Sequence, residues 1–366
     1  MPTLKKIVVQ DFRNIAFQEL QFSPNVNCIS GNNGEGKTNL MDAIYYLSMT
    51  KSAFPAPDRY NWRYGTDGFV LGGTYAMENG LASQFSLRVG EEGKKLVRDE
   101  KACTRMSDHI GLLPVVMVSP GDSVLVSDAG EDRRRLSNAV LSQMDPAYLA
   151  AVQAYNRLLA QRNRLLKDPA PDGGLLDILD LRMEGRAATI HEGRRRLTED
   201  LRPVVSAYYQ LISGGGEAVS IDYKSDLEKG SLQDLLKASR EKDKALGFTS
   251  AGIQRDDFLF TMDGYPIRRA GSQGQQKSFL VALKFAQYEV MKAAYGYPPM
   301  MLLDDLFDKL DMARVGNLLR MVADKEFGQI FLSDSNKVRT ESIVDTLTAD
   351  RSYFETAGGV FTPVNE

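Results

Sequence analysis

The chain is poor in cysteine and histidine. Two cysteines, Cys28 and Cys103, among 366 residues exclude a fold stapled by disulfides. Cys28 lies on a strand-like segment ahead of a glycine-rich loop, so no bridge is expected there. The two histidines, His109 and His191, form no cluster with the cysteines, and a structural zinc site is not expected. No apolar run approaches the ~20 residues of a helical membrane span. Met1–Lys6 leads into a strand-like stretch and not a signal-peptide core, so the cytoplasm is the expected compartment, with no membrane partner. Neither sign of charge dominates: 45 Lys and Arg face 48 Asp and Glu, a net charge of −3. Bulk charge therefore gives no reason to bind nucleic acid, although the uneven placement of arginine leaves room for a local basic patch. There is no internal repeat and no low-complexity segment. With 43% hydrophobic and 25% charged residues the composition is that of an ordinary globular protein, long enough for two structural units.

Against this plain background one octapeptide stands out. Gly31-Asn32-Asn33-Gly34-Glu35-Gly36-Lys37-Thr38 fits the phosphate-loop pattern G-x-x-x-x-G-K-[ST] without mismatch. At average residue usage, chance supplies about one such match per hundred chains of this size. The flanks give it the required context: Val26–Ser30 reads as a strand, and from Thr38 a helix follows with Leu40, Ile44 and Leu47 on one face. Glycines let backbone N–H groups turn towards phosphates at the positive end of the helix dipole. Lys37 is expected to reach the β- and γ-phosphates of ATP and Thr38 to ligate Mg²⁺.

A second signal lies 267 residues beyond Lys37. Met300-Met301-Leu302-Leu303-Asp304-Asp305 is an apolar run ending in two carboxylates, as in a buried parallel strand whose acids emerge at its C-terminal end. Alone it is weak; beside a phosphate loop it assigns Asp304 to Mg²⁺ and Asp305 to the base that orients attacking water. Thirty-two residues before Asp304, Ser272-Gln273-Gly274-Gln275 opens another helix. A plain serine N-cap explains it in isolation. Its position favours a second phosphate-binding helix end, and one nucleotide meets both ends only if each is sandwiched between two subunits of an ATP-dependent homodimer.

The separation of the motifs requires an insertion. Strand-like alternation covers Lys5–Ile29 with a turn near Asn14, then Phe69–Tyr75, Ser83–Val89 and Pro114–Val118. Helical periodicity follows over Tyr148–Lys167 and Leu175–Ile212, joined by a Pro/Gly turn, which predicts a short antiparallel helical hairpin. Ala218–Tyr223 returns to strand character, Leu232–Ala245 to helix, and Phe258–Thr261 with Tyr265–Arg268 flank an Asp263-Gly264 turn. The expected fold is α/β, an ATPase head built from both chain ends (1–125 and 218–366) with an inserted, mainly helical lobe (126–217).

These motifs together resemble the ABC-type ATPase heads and, within them, the RecF family of bacterial recombination-repair proteins. Phe12-Arg13-Asn14, Lys37-Thr38-Asn39-Leu40, Ser119-Pro120 with Asp122, Arg133-Arg134-Arg135, Gln161-Arg162-Asn163, Arg255-Asp256-Asp257, Ser272–Gln276 and Leu303-Asp304-Asp305 with Leu310-Asp311 carry the likeness. It extends over nearly the whole chain, and the glutamine-rich signature with the Gln161-Arg162-Asn163 helix is its most specific part. The resemblance implies that Arg13, Asn39, Ser272, Gln273, Gly274, Gln275 and Asp311 join the phosphate loop in binding ATP. It also makes Ser333 the hydroxyl residue standing where transporter ATPases carry a switch histidine. Gly121 replaces the family's usual glutamate, and Gln254 its usual histidine. Asp305 is one methylene shorter than the glutamate of most ABC heads, so slow hydrolysis is expected. The resemblance further implies binding to duplex DNA and single-strand/duplex junctions, and loading of the RecA recombinase with RecR and RecO.

Candidate DNA contacts are Arg133, Arg134, Arg135, Arg162 and Arg164 with Arg157 on the same helix, and Arg194, Arg195 and Arg196. The competing reading, the better one for any single arginine, is a helical surface charge paired with a nearby acid. No aromatic residues interleave with them, so duplex phosphates suit better than a single-strand stacking platform. Two rival functions remain at this level: the ATPase subunit of a transporter, and a nucleotide-switched scaffold with little hydrolysis.

Overall fold

The computed structural model describes residues 1–127, 130–305, 327–337, 348 and 350–364. In chain order its strands are β1 (Thr3–Phe12), β2 (Ile15–Gln21), β3 (Val26–Ser30), β4 (Gly68–Ala76), β5 (Ala82–Gly90), β6 (Gly93–Arg98), β7 (Lys101–Ala102), β8 (Val115–Val118), β9 (Val219–Lys224), β10 (Asp257–Met262), β11 (Tyr265–Pro266), β12 (Met300–Asp304), β13 (Ile330–Asp334), β14 (Arg351–Ala357) and β15 (Val360–Val364). The helices are α1 (Lys37–Met49), α2 (Val124–Ser127), α3 (Gly130–Met144), α4 (Pro146–Leu165), α5 (Gly173–Ser213), α6 (Leu232–Leu246), α7 (Ile267–Ala270) and α8 (Gln273–Tyr295).

Contacts divide the chain into two compact units. The first comprises Met1–Ser123, Tyr208–Gly216 and Gln273–Glu366. It holds an antiparallel sheet in the order β2-β1-β4-β5-β6-β7 and a second sheet in the order β15-β14-β3-β13-β12-β8, parallel except at β15. In β5 the alternation is strict, with Ser83, Phe85, Leu87 and Val89 buried and their neighbours exposed, as for a sheet with one wet face. β3, β8, β12 and β13 are instead buried at every residue, which is why β8 and β12 read as apolar runs. Buried Gln329 ties the two sheets: its amide donates to the Leu4 and Ser23 carbonyls, both at 2.8 Å, and its oxygen accepts the Leu4 N–H at 2.8 Å.

The second unit comprises Val124–Ala207 and Glu217–Ser272. Residues 217–272 thus group with the helical lobe, whereas the sequence placed 218–366 in the head. The physical reason is that β9, β10 and β11 pair with one another in a small antiparallel sheet of their own. The second arm of the expected 258–268 hairpin is only two residues long, because Ile267 and Arg268 turn into α7. α4 and α5 form the predicted antiparallel pair: Arg162 meets Asp180, while Tyr148, earlier in α4, lies against Gly193, later in α5. A Cβ on Gly193 would sit 2.8 Å from the Tyr148 ring, so a side chain there would force the helices apart.

Candidate nucleotide site

The parallel sheet brings three strand ends together. Asp304 pairs with Ser333 across β12 and β13, and Ser333 with Ile29 across β13 and β3, two residues before the loop opens at Gly31. All three strands run the same way, so the loop and both carboxylates emerge at their C-terminal edge, the ligand-binding edge of such sheets. The turn between β14 and β15 fixes the loop from outside. Glu35 accepts Thr356 Oγ1 at 3.0 Å and Gly359 N at 2.9 Å on its carbonyl, and its carboxylate accepts Gly358 N. Two loop glycines are sterically required. A Cβ at Gly31 would meet Thr356 at 2.6 Å, and Gly36, the N-cap of α1 at φ 110°, would press on the Asn14 amide at 2.9 Å.

Lys37 is buried, and its Nζ donates to the Gly31 and Asn32 carbonyls at 2.9 and 3.1 Å. Asp305 Oδ1 lies 3.9 Å from that ammonium. Thr38 Oγ1 donates to Asp304 Oδ2 at 2.7 Å and Ser333 Oγ to Asp304 Oδ1 at 2.6 Å, while Ser333 Oγ accepts the Asp305 N–H at 3.1 Å. Burial pushes the Asp304 carboxyl above its ordinary range, against the pull of Ser333, Thr38 and Lys37. A buried acid whose two oxygens meet a threonine and a serine hydroxyl is a hard-oxygen donor set suited to a divalent cation. Asp305 has φ 43°, a left-handed conformation that costs a non-glycine residue about 1–3 kcal/mol and marks functional positions.

A cavity of about 270 Å³ opens here, lined by Asn33, Gly34, Gly36, Lys37, Thr38, Asn39, Pro120, Asp305 and Ser335. Five of the eight loop residues and the following Asn39 therefore face it, whereas Gly31, Asn32 and Glu35 do not. Ser333 does not, since its hydroxyl is committed to Asp304. Ser335, two residues on, is the exposed hydroxyl that does, and sequence reasoning passed over it. Arg13 is also absent from the lining. Held at φ 51° in the β1–β2 turn, it donates to Asp42 at 2.5 Å, Asn39 at 3.0 Å, Ser52 at 3.2 Å and Asn61 at 3.0 Å, and so positions α1. Gln273, Gly274 and Gln275 form the first turn of α8 and line none of the cavity. Asp311 lies outside the described residues.

The arginines of the second unit separate sharply. Arg162 is wholly buried and donates to Asp180, Asp243 and Thr249 at 2.6–2.9 Å; Arg194 is buried against Asp256 at 2.6 Å. Neither is placed to touch DNA, which corrects their assignment as contacts. Arg133 pairs with Asp257, Arg135 with Glu131 and Asp132, Arg195 with Glu192 and Glu199, and Arg196 with Glu192. Among the described residues Arg134 and Arg164 have no acid within ion-pair distance. Nor do Arg157, Arg182 and Arg186, which share a groove of about 540 Å³ between α4 and α5 with no acid in its lining. Arg182 and Arg186 went unnoticed in the sequence, although their i, i+4 spacing puts them on one helix face. Gln254 replaces the family histidine with a neutral bridge: it accepts the Tyr155 hydroxyl at 2.6 Å and donates to the Ala251 carbonyl at 2.6 Å.

A phosphate loop on a parallel sheet, with acids at the end of a strand supplied by the far half of the chain, defines an SMC-type ATPase head. Residues 3–58 match the RecF/RecN/SMC N terminal domain model. An Smc head domain from Pyrococcus furiosus shares the fold, with a TM-score of 0.58 at 17% identity over 100% of this chain and 96% of that one. The chain is 41% identical over 363 residues to the DNA replication and repair protein RecF of Parabacteroides distasonis, covering 99% of this chain and 100% of the relative. It is 42% identical over 359 residues to that of Porphyromonas gingivalis, covering 97% and 98%. A structure of the recombination mediator protein RecF with ATP, from the RecFOR pathway, superposes with a TM-score of 0.89 at 26% identity, covering 100% of this chain and 98% of that one. The chain belongs to the RecF family of DNA replication and repair proteins.

Proposed function

We propose that this chain is an ATP-switched DNA clamp of recombinational repair. ATP and Mg²⁺ would drive two copies together on duplex DNA beside a single-strand gap, and slow hydrolysis would release them. The observation that carries the reading is the contact of Thr38 and Ser333 with the two oxygens of Asp304 beside the Lys37–Asp305 approach. The loop would hold the phosphates, Thr38 and Asp304 the Mg²⁺, and Asp305 the attacking water, with Ser335 at the cavity mouth. Bound Mg²⁺ would supply charge neutralisation for phosphoryl transfer. Because the Gln273–Gln275 turn lines none of this cavity, the Ser272–Gln275 signature would act on a second copy's nucleotide. RecR with RecO, and RecA downstream, are the partners that family membership suggests. No helix among the described residues is long and apolar enough to cross a membrane.

Sedimentation with ATP and Mg²⁺, with and without a gapped duplex, tests this. The parent chain should dimerise with ATP, Lys37→Met and Ser272→Arg should both remain monomeric, and DNA binding should follow the dimer. A parent chain that stays monomeric with ATP and ignores the duplex would sink the clamp reading.

A further inference from the structure

The second unit contains a cavity that the nucleotide site leaves unexplained. It has a volume of about 300 Å³ and is bordered by α3, α4, α5 and the 253–254 turn. Its charged lining is Arg134, Arg135 and Arg194 against a single acid, Glu131. Glu131 is taken by Arg135, and Arg194 by Asp256. Arg134 is left over. Its Nη1 donates at 2.6 Å to the Asp256 carbonyl, and among the described residues it has no carboxylate within ion-pair distance. Burial, and then the neighbouring Arg194, make its charge harder to hold.

Asp257, Glu131 and Asp256 attract this guanidinium from beyond ion-pair distance without offsetting the cost of its burial, so an added anion would stabilise it. One further group offers a donor at the same place. Asn138 uses its oxygen to accept Tyr148 Oη at 2.7 Å and Arg194 Nη2 at 3.2 Å, which turns its Nδ2 out as a donor. A guanidinium and an amide donor one turn apart on α3 suit a tetrahedral oxyanion, and guanidinium geometry matches phosphate oxygens in particular.

We propose that this cavity is a binding site for a phosphate group, held by Arg134 with Asn138 Nδ2. The phosphate comes either from a free phosphate ester or from a nucleic-acid strand, since both present the same oxygens.

The test uses the full chain carrying Lys37→Ala, so that the phosphate loop does not contribute, and titrates inorganic phosphate by calorimetry. One phosphate should bind, and adding Arg134→Gln should weaken it about tenfold or more, the scale of a lost charge-assisted hydrogen bond. Arg134→Lys should recover part of the loss. Asn138→Asp, which adds a carboxylate to the cavity, should abolish binding even if Arg134→Gln proves unfolded by circular dichroism. Displacement of phosphate by AMP marks a free ester as the source, and displacement by a short duplex marks DNA. The proposal fails if the Lys37→Ala chain binds no phosphate. It fails equally if folded Arg134→Gln binds phosphate unchanged, or if acetate binds as tightly and points to a peptide carboxylate.

Discussion

Asp305 combines three properties that rarely coincide in one side chain. It lines the cavity, its backbone sits at φ 43°, and its carboxylate approaches Lys37 at 3.9 Å. The strain is offset locally, because its N–H is caught by Ser333 Oγ, itself bound to Asp304. Strain held this way is the mark of a residue aimed at a task. As a general base it should contribute about 10²–10⁴-fold, so Asp305→Asn should lower ATP turnover by that order while the isosteric amide preserves ATP-dependent dimerisation. Phosphate release and sedimentation on the same sample check both halves. Unchanged turnover would remove Asp305 as the base.

At the scale of the element, α1 shows how the site is supported. Arg13 grips its first turns through Asn39 and Asp42, and His109 caps the other end by donating from Nε2 to the Leu47 carbonyl at 2.7 Å. His109 is buried against Phe85, and its Nδ1 has no partner. Burial therefore holds its pKa below the ordinary 6.5, with Arg98 adding to the effect and the Leu47 bond opposing it. For a depressed histidine the unfolded chain takes up the proton first. Stability is thus full above pH ~6.5 and falls as pH drops from there towards the folded pKa, by at most about 1.4 kcal/mol per pH unit. Urea melts between pH 7.5 and 5 should show this loss, and His109→Gln, which keeps a donor but cannot titrate, should flatten the slope by up to one proton. An equal slope in both would assign the acid sensitivity elsewhere. The support of α1 also shows what was legible beforehand. Phosphate loop, acidic strand and helical pair could be read because each is a local pattern buried or spaced in one way. β6 and the β14–β15 hairpin could not: β6 buries only Leu96 fully and β14 only Phe354 and Thr356, too few for a period-2 signal. Arg13 and Ser333 were expected in ATP binding and in catalysis, whereas in the structure they hold other residues, Asp42 and Asp304 among them. Only long-range contacts reveal that, such as Arg13 reaching from the β1–β2 turn to Asp42.

For the whole molecule, the question is which of its arginines are available to a polyanion. A count of basic residues misleads here, since most of those singled out by clustering in sequence are neutralised in the fold. Arg195 and Arg196 share Glu192, whose carboxyl they hold down at about 2, and Arg162 is sealed between Asp180 and Asp243. Removing Arg162 would leave buried Asp243 without its cation and Asp180 with Arg240 alone, so a variant there reports on folding and not on DNA. The groove between α4 and α5 is different, because Arg157, Arg182 and Arg186 meet no acid among the described residues. Each phosphate neutralised by such a side chain releases counterions and steepens the salt dependence of binding by about 0.9 in log–log slope. If all three face the duplex, the triple Arg157/Arg182/Arg186→Gln variant should bind more weakly for any sequence and lose about 2–3 from that slope. The matched Arg195/Arg196→Gln variant should change it little. Fluorescence anisotropy across a salt series, with ATP and Mg²⁺ present, gives both numbers. An unchanged slope in the triple variant would place the duplex on another face, and a loss confined to Arg195/Arg196→Gln would mean that Glu192 yields its arginines when DNA arrives.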